Sequence, residues 1–95
     1  MSRSEIRELT PPPDVREQGG VEVLRVFVVE RSLSVALQRA FDDPGVWGML
    51  LADVARQVAR IYGRESEFDE ASALERIRAA IESGLEPGGD GDPRH

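Results

Sequence analysis

The sequence contains no cysteine and only one histidine, His95. No disulfide can therefore stabilise the fold, and the lack of cysteine is typical of cytosolic proteins. His95 lies in a terminal segment rich in glycine, aspartate and proline, where no ordered site is expected. The sequence thus predicts neither a histidine-based nucleophilic triad nor a histidine-containing metal centre.

Long apolar runs and an excess of basic residues are also missing. No stretch approaches the roughly 18 apolar residues that cross a bilayer, and the N-terminus has no apolar signal segment. The net charge of −6 repels nucleic-acid phosphates and anionic membrane surfaces. We therefore expect a soluble cytoplasmic protein with no nucleic-acid or membrane partner. Without a glycine-rich phosphate loop or dinucleotide fingerprint, we also expect no cofactor.

The 95 residues allow one small domain. Residues 1–20 carry a run of three prolines followed by paired glycines, and residues 86–95 are rich in Gly, Asp and Pro. We expect a flexible segment over 1–20, a single domain over 21–85 and a disordered tail over 86–95. A core of about 65 residues is marginal. Without disulfides, oligomerisation is the remaining means of stabilising it.

Two segments predict an antiparallel β-hairpin. Val21–Glu30 is rich in β-branched residues, and Leu33–Gln38 alternates apolar and polar residues. A two-residue turn at Arg31 and Ser32 would join them, although neither is the Gly or Asn that such turns prefer, and a bulged or longer loop is the alternative.

This turn fixes a register. It would place Val28 opposite Val35 and Phe27 opposite Ala36, with Arg25 on the same face as Phe27. The other face would be entirely apolar and would pack on the helices. Its members are Leu24, Val26, Val28, Val35 and Leu37.

Two helices follow, over Pro44–Gly63 and about Glu70–Ser83. Apolar residues recur at helical spacing from Trp47 to Tyr62, and Gly63 is a candidate C-terminal stop. Asp69 is the expected N-cap of the second helix. The fold class is therefore α+β, a two-layer ββαα domain with the hairpin packed on two helices.

The segment "FDDPGVWGML" contains two carboxylates, a proline, two glycines and the one tryptophan of the sequence. It begins the first of these helices. Asp43 fits an N-cap and Pro44 the first helical position, while Asp42 adds charge near the positive end of the helix dipole. The functional alternative makes both carboxylates an acid/base pair or metal ligands. Adjacent side chains rarely converge on one point, so the helix start is the favoured interpretation and no metal site is expected.

Two further features allow both a structural and a functional interpretation. Gly48 costs about 1 kcal/mol inside a helix, which suggests close approach by a partner backbone or ring, or contact with a ligand beside Trp47. Three arginines recur every fourth residue on the polar face of the same helix. They form either a solvated face or a docking stripe for an acidic protein partner. These are Arg56, Arg60 and Arg64.

The segments "VEVLRVFV", "LSVALQRAFDDPGVWGMLLADVARQVARIYG" and "ASALERIRAAI" resemble a family of short alphaproteobacterial proteins of unknown function. The resemblance spans roughly residues 9–81 and is most distinctive over Phe41–Arg56. It implies that Trp47, Gly48 and Asp53 belong to a family pattern, and it implies no activity. Members of that family tend to have glycines where this chain has the turn sequence "ERS".

Three functions remain open. The first is a non-catalytic homodimeric interaction or accessory module with an interface at Val23, Phe27 and Val29. Its two hairpins either pair into a four-stranded sheet or stack through the outer face that carries these residues. The second is a small-molecule-binding module with a pocket near Trp47 and Gly48. The third is an enzyme that uses one of three aspartates. They are Asp42, Asp43 and Asp53.

Overall fold

The computed structural model describes residues 5–87, which divide after residue 40 into two compact units. Each unit is described by itself. The first contains a short helix and a hairpin, and the second contains a helix pair. The predicted α+β class and ββαα order are confirmed, and packing of the hairpin on the helices stays a prediction. Residues 88–95, most of the expected disordered tail, lie outside the described residues.

The first unit starts with a short helix, α1 (Pro13–Gln18), within the segment expected to be flexible. Its first residue is a proline, and Asp14 adds a carboxylate in the first turn, whose oxygen accepts from the amide of Val15 at 2.9 Å. Both features are typical of helix starts. The sequence interpretation missed this helix because α1 has almost no apolar periodicity.

The hairpin consists of β1 (Leu24–Val29) and β2 (Ser32–Leu37), paired antiparallel. The predicted turn position was wrong, because Glu30 and Arg31 form the turn, with φ of 50° and 75°. Positive φ at both central residues is the pattern of a type I′ turn, which matches the twist of the strands.

The register consequently differs from the predicted one by two residues. Val35 lies opposite Val26, and Phe27 lies opposite Ser34 instead of Ala36. A shift of two residues keeps every side chain on its expected face. We call the apolar face of the hairpin the aliphatic face. In the observed register it includes Leu33, which lies opposite Val28. Its residues are Leu24, Val26, Val28, Leu33, Val35 and Leu37.

The second unit pairs α2 (Pro44–Glu65) with α3 (Glu70–Leu85). Gly63 does not end α2, as the sequence suggested, because the helix continues to Glu65. The next residue, Ser66, ends it: its amide and its hydroxyl both donate to the carbonyl of Tyr62, at 3.0 and 2.8 Å. The second helix also runs past its expected end near Ser83, to Leu85.

Small side chains form the contact between these helices. Ala59 of α2 and Ala73 of α3 are the only buried residues within the described chain. A Cβ added to Gly63 would lie 3.2 Å from the amide nitrogen of Glu70, so the start of α3 approaches α2 closely there. Much of the predicted apolar stripe stays on the surface, since Leu51, Val54 and Tyr62 are each nearly half exposed.

Candidate functional site

The start of α2 has the geometry expected of a structural helix cap. A side-chain oxygen of Asp43 accepts from the amide of Gly45 at 2.8 Å, and Pro44 occupies the first helical position. The ring of Phe41 lies edge-on to that of Trp47, with 5.7 Å between centroids. This aromatic pair closes the first turn much as a hydrophobic staple does. The segment "FDDPGVW" is therefore a capped and stapled helix start.

The cap predicts a specific mutational pattern. Asp43→Ala is expected to lower the free energy of unfolding by about 1 kcal/mol, whereas Asp43→Asn should be nearly neutral because asparagine caps as well. Chemical denaturation of the three proteins measures the difference. Large and equal losses in both variants would instead indicate a role that depends on the charge of Asp43.

The three candidate catalytic aspartates are not brought together. Asp53 lies ten residues beyond Asp43 in chain order, which separates them by roughly 15 Å along the helix axis. A carboxylate oxygen of Asp53 accepts from the side-chain amide Nε2 of Gln57 at 2.7 Å, a contact between residues one helix turn apart. Among residues 5–87, no three His, Cys, Asp or Glu side chains are grouped so that they could hold a metal ion.

Gly48 is exposed, and a Cβ added to it would meet nothing within 4 Å. No neighbour within the described part of the chain therefore requires a glycine at this position. The close approach of a partner at Gly48 stays a prediction, as does a ligand there.

The arginine stripe of α2 is solvent-exposed. Arg56, Arg60 and Arg64 have no carboxylate within ion-pair distance among the described residues. This geometry is compatible with either a solvated face or the docking of an acidic partner, and the docking of such a partner stays a prediction.

A groove lies between the two helices, at the end of α2 remote from Trp47. Its volume is about 420 Å³. The sequence interpretation did not find it, because its wall combines residues from α2, the following turn and α3. They are Tyr62, Phe68, Ala73, Arg76, Ile77 and Ala80.

Two caps hold the turn beside this groove. The amide of Phe68 donates to the hydroxyl oxygen of Ser66 at 3.1 Å, and a carboxylate oxygen of Asp69 accepts from the amide of Ser72 at 2.7 Å. The hydrogen bond from the Ser72 amide lowers the pKa of Asp69 below its ordinary value. The predicted N-cap of α3 is thereby confirmed.

The hairpin face that carries Phe27 contains a cluster of charges. The Arg25 guanidinium contacts Glu22 at 2.9 Å and Glu8 at 3.0 Å, and it lies 5.4 Å from the centroid of the Phe27 ring. The hydrogen bonds that the guanidinium donates to Glu22 and then to Glu8 raise the pKa of Arg25. Phe27 and Val23 are half-buried, while Val29 is more than half exposed.

No helix within residues 5–87 combines the length and the apolar character required to cross a membrane. No curated protein matches the sequence. Among solved structures, the chain is similar to one from the photosynthetic bacterium Rhodopseudomonas palustrus CGA009, named as a candidate pyruvate dehydrogenase. The two are 45% identical with a TM-score of 0.76, and the match covers 98% of this chain and 97% of the other.

The model of a domain of unknown function, DUF5076, matches residues 8–87. The match includes both strands, all three helices and the groove. It confirms the resemblance to a family of unknown function. The chain belongs to the DUF5076 family.

Proposed function

We propose that this protein is a non-catalytic interaction module that acts as a homodimer joined through its β-hairpin. The observation that carries the proposal is the composition and exposure of the aliphatic face. All six of its side chains are large and aliphatic. Leu24 is half-buried, and the other five are 49–74% exposed.

We propose a second copy of the chain as the occupant of this face, in place of the helices of the same chain that the sequence pattern suggested. Full burial of one valine or leucine is worth about 1.5–3 kcal/mol in transfer terms. Five such residues on each chain supply enough free energy to exceed the cost of association. A two-stranded sheet is also marginally stable alone and has unpaired edges, which pairing with another hairpin would stabilise.

The opposite face is less suited to a dimer interface. Val23, Phe27 and Val29 all come from the β1 side, and β2 contributes Ser32 and Ser34 opposite them. The Arg25 guanidinium with its two glutamates lies beside Phe27, and its desolvation would cost free energy in an interface. The aliphatic face is therefore favoured over the Phe27 face.

Catalysis is disfavoured by the lack of an enclosed site in the described chain. Enzymes that act on small acids hold the reacting groups in a pocket that excludes water. Within residues 5–87 only Ala59 and Ala73 are buried, and the groove between the helices is open. The dehydrogenase name therefore stays with the structural relative, and the interaction module is the function proposed for this chain.

Two adjacent residues on opposite faces test the proposal. The wild-type protein is expected to have the mass of two chains in light scattering at micromolar concentration. Val28→Asp should reduce the mass to one chain, because a charge at Val28 would be buried in the interface. Circular dichroism should still show the helical signal of α2 and α3. Phe27→Asp should remain a dimer.

The other outcomes are equally clear. A wild-type mass of one chain would refute the homodimer. If Phe27→Asp dissociates the protein while Val28→Asp remains a dimer, the interface lies on the face of Val23, Phe27 and Val29. Ser34→Asp is the control for added charge at an exposed strand position.

A further inference from the structure

We propose that the groove between α2 and α3 binds a small molecule with a carboxylate head and an apolar body. The inference is independent of the homodimer, since every residue that lines the groove comes from the helix pair of one chain. The groove has a volume of about 420 Å³, within the range of about 300–1,000 Å³ that small-molecule sites occupy.

The wall of the groove is suited to an apolar body. Ala73, Ile77 and Ala80 recur at a spacing of three and four residues, which places them on one side of α3. The rings of Tyr62 and Phe68 meet edge to face at the end of the groove, with 6.0 Å between centroids and an angle of 87°. The caps at Ser66 and Asp69 hold this turn, so the aromatic end of the groove is formed before a ligand arrives.

Arg76 gives the groove its charge preference. Among the described residues 5–87 it is the only charged one in the wall of the groove, although the whole chain carries a net charge of −6. Its guanidinium carbon lies 5.4 Å from the centroid of the Phe68 ring, a cation–π contact that favours this position of the guanidinium.

The donors of that fork have no carboxylate partner among residues 5–87. The adjacent Glu75 pairs with Arg78 instead, at 3.5 Å. A planar guanidinium donates two parallel hydrogen bonds to a carboxylate, and such charged bonds are stronger than neutral ones. A carboxylate head at Arg76, with the attached chain along Ala73 and Ile77, satisfies both the charge and the apolar wall.

Three probes that share one eight-carbon chain test this inference: octanoate, octanol and octylammonium. They are titrated into the full-length protein while amide shifts are followed by NMR. Octanoate is expected to shift the amides of Phe68, Ala73 and Ala80, and to bind at least tenfold more tightly than octanol. Octylammonium should bind more weakly still, because its charge is repelled by Arg76.

Variants locate the charge preference. Arg76→Gln should remove the advantage of octanoate over octanol, while Arg78→Gln, the matched arginine of the same helix outside the groove, should retain it. Phe68→Ala should weaken both ligands. Equal loss in the Arg76→Gln and Arg78→Gln proteins would show a diffuse effect of net charge and would overturn the proposal.

Three other results would also overturn it. The first is the absence of groove shifts with octanoate up to millimolar concentration, and the second is equal affinity for octanoate and octanol. The third is a wild-type protein that does not bind octanoate while Phe68→Ala or Arg76→Gln changes the oligomer mass, which would make the groove a protein interface. Light scattering on the same samples separates this failure from a failure of the hairpin dimer, because the aliphatic-face variants leave the groove intact.

Discussion

Replacing Glu30 with asparagine and Arg31 with glycine is expected to raise the free energy of unfolding by about 2 kcal/mol. Both residues have positive φ, 50° and 75°, in a region that costs most side chains about 1–2 kcal/mol. Asn-Gly is the pair that type I′ turns prefer, since both residues enter this region with little strain. Thermal unfolding should show a midpoint higher by about 10 °C.

A shifted control separates relief of strain from a general effect of turn residues. Placing the same Asn-Gly pair one position later, as Arg31→Asn with Ser32→Gly, should not stabilise the protein, because Ser32 begins β2 and pairs with Val29. Equal stabilisation by both double variants would contradict the observed register. Glu30→Gln with Arg31→Gln keeps the strain without the charges and should leave the midpoint nearly unchanged.

The same turn shows why the sequence predicted the strands but not their register. Alternation of apolar and polar residues specifies which face each side chain occupies, and it is unaffected by a shift of two residues. Only turn chemistry distinguishes the two registers, and neither Glu30–Arg31 nor Arg31–Ser32 has the glycine or asparagine that would identify the turn.

The helices show a second limit of sequence patterns. The capping residues Asp43 and Asp69 were predictable, because an N-cap is a local interaction between a carboxylate and nearby amides. The role of Gly63 was not predictable, since a glycine can either end a helix or allow another backbone to approach the helix. The groove was missed for a related reason: Phe68 lies in a turn outside the periodic pattern of either helix.

Gly63→Leu is expected to destabilise the helix pair by about 2 kcal/mol and to lower the melting midpoint by about 10 °C. A Cβ at this position would lie 3.2 Å from the amide nitrogen of Glu70, 3.3 Å from its Cβ and 3.4 Å from its Cα. Two of these atoms are backbone atoms at the start of α3, which cannot rotate away as the end of a side chain can. The first turn of α3 would have to move, and the cap at Asp69 with it.

Gly48→Leu is the matched control, because it makes the same change in the same helix. A Cβ at Gly48 meets nothing within 4 Å in the described chain, and leucine is one of the better helix formers, so this variant should gain up to about 1 kcal/mol. A loss of stability in Gly63→Leu together with a gain in Gly48→Leu would show that Gly63 is required for the contact with α3. Stabilisation by Gly63→Leu would contradict the close approach of Glu70. If Gly48→Leu lowers the midpoint as well, and lowers it more at higher protein concentration where the dimer predominates, a partner chain approaches α2 at that glycine.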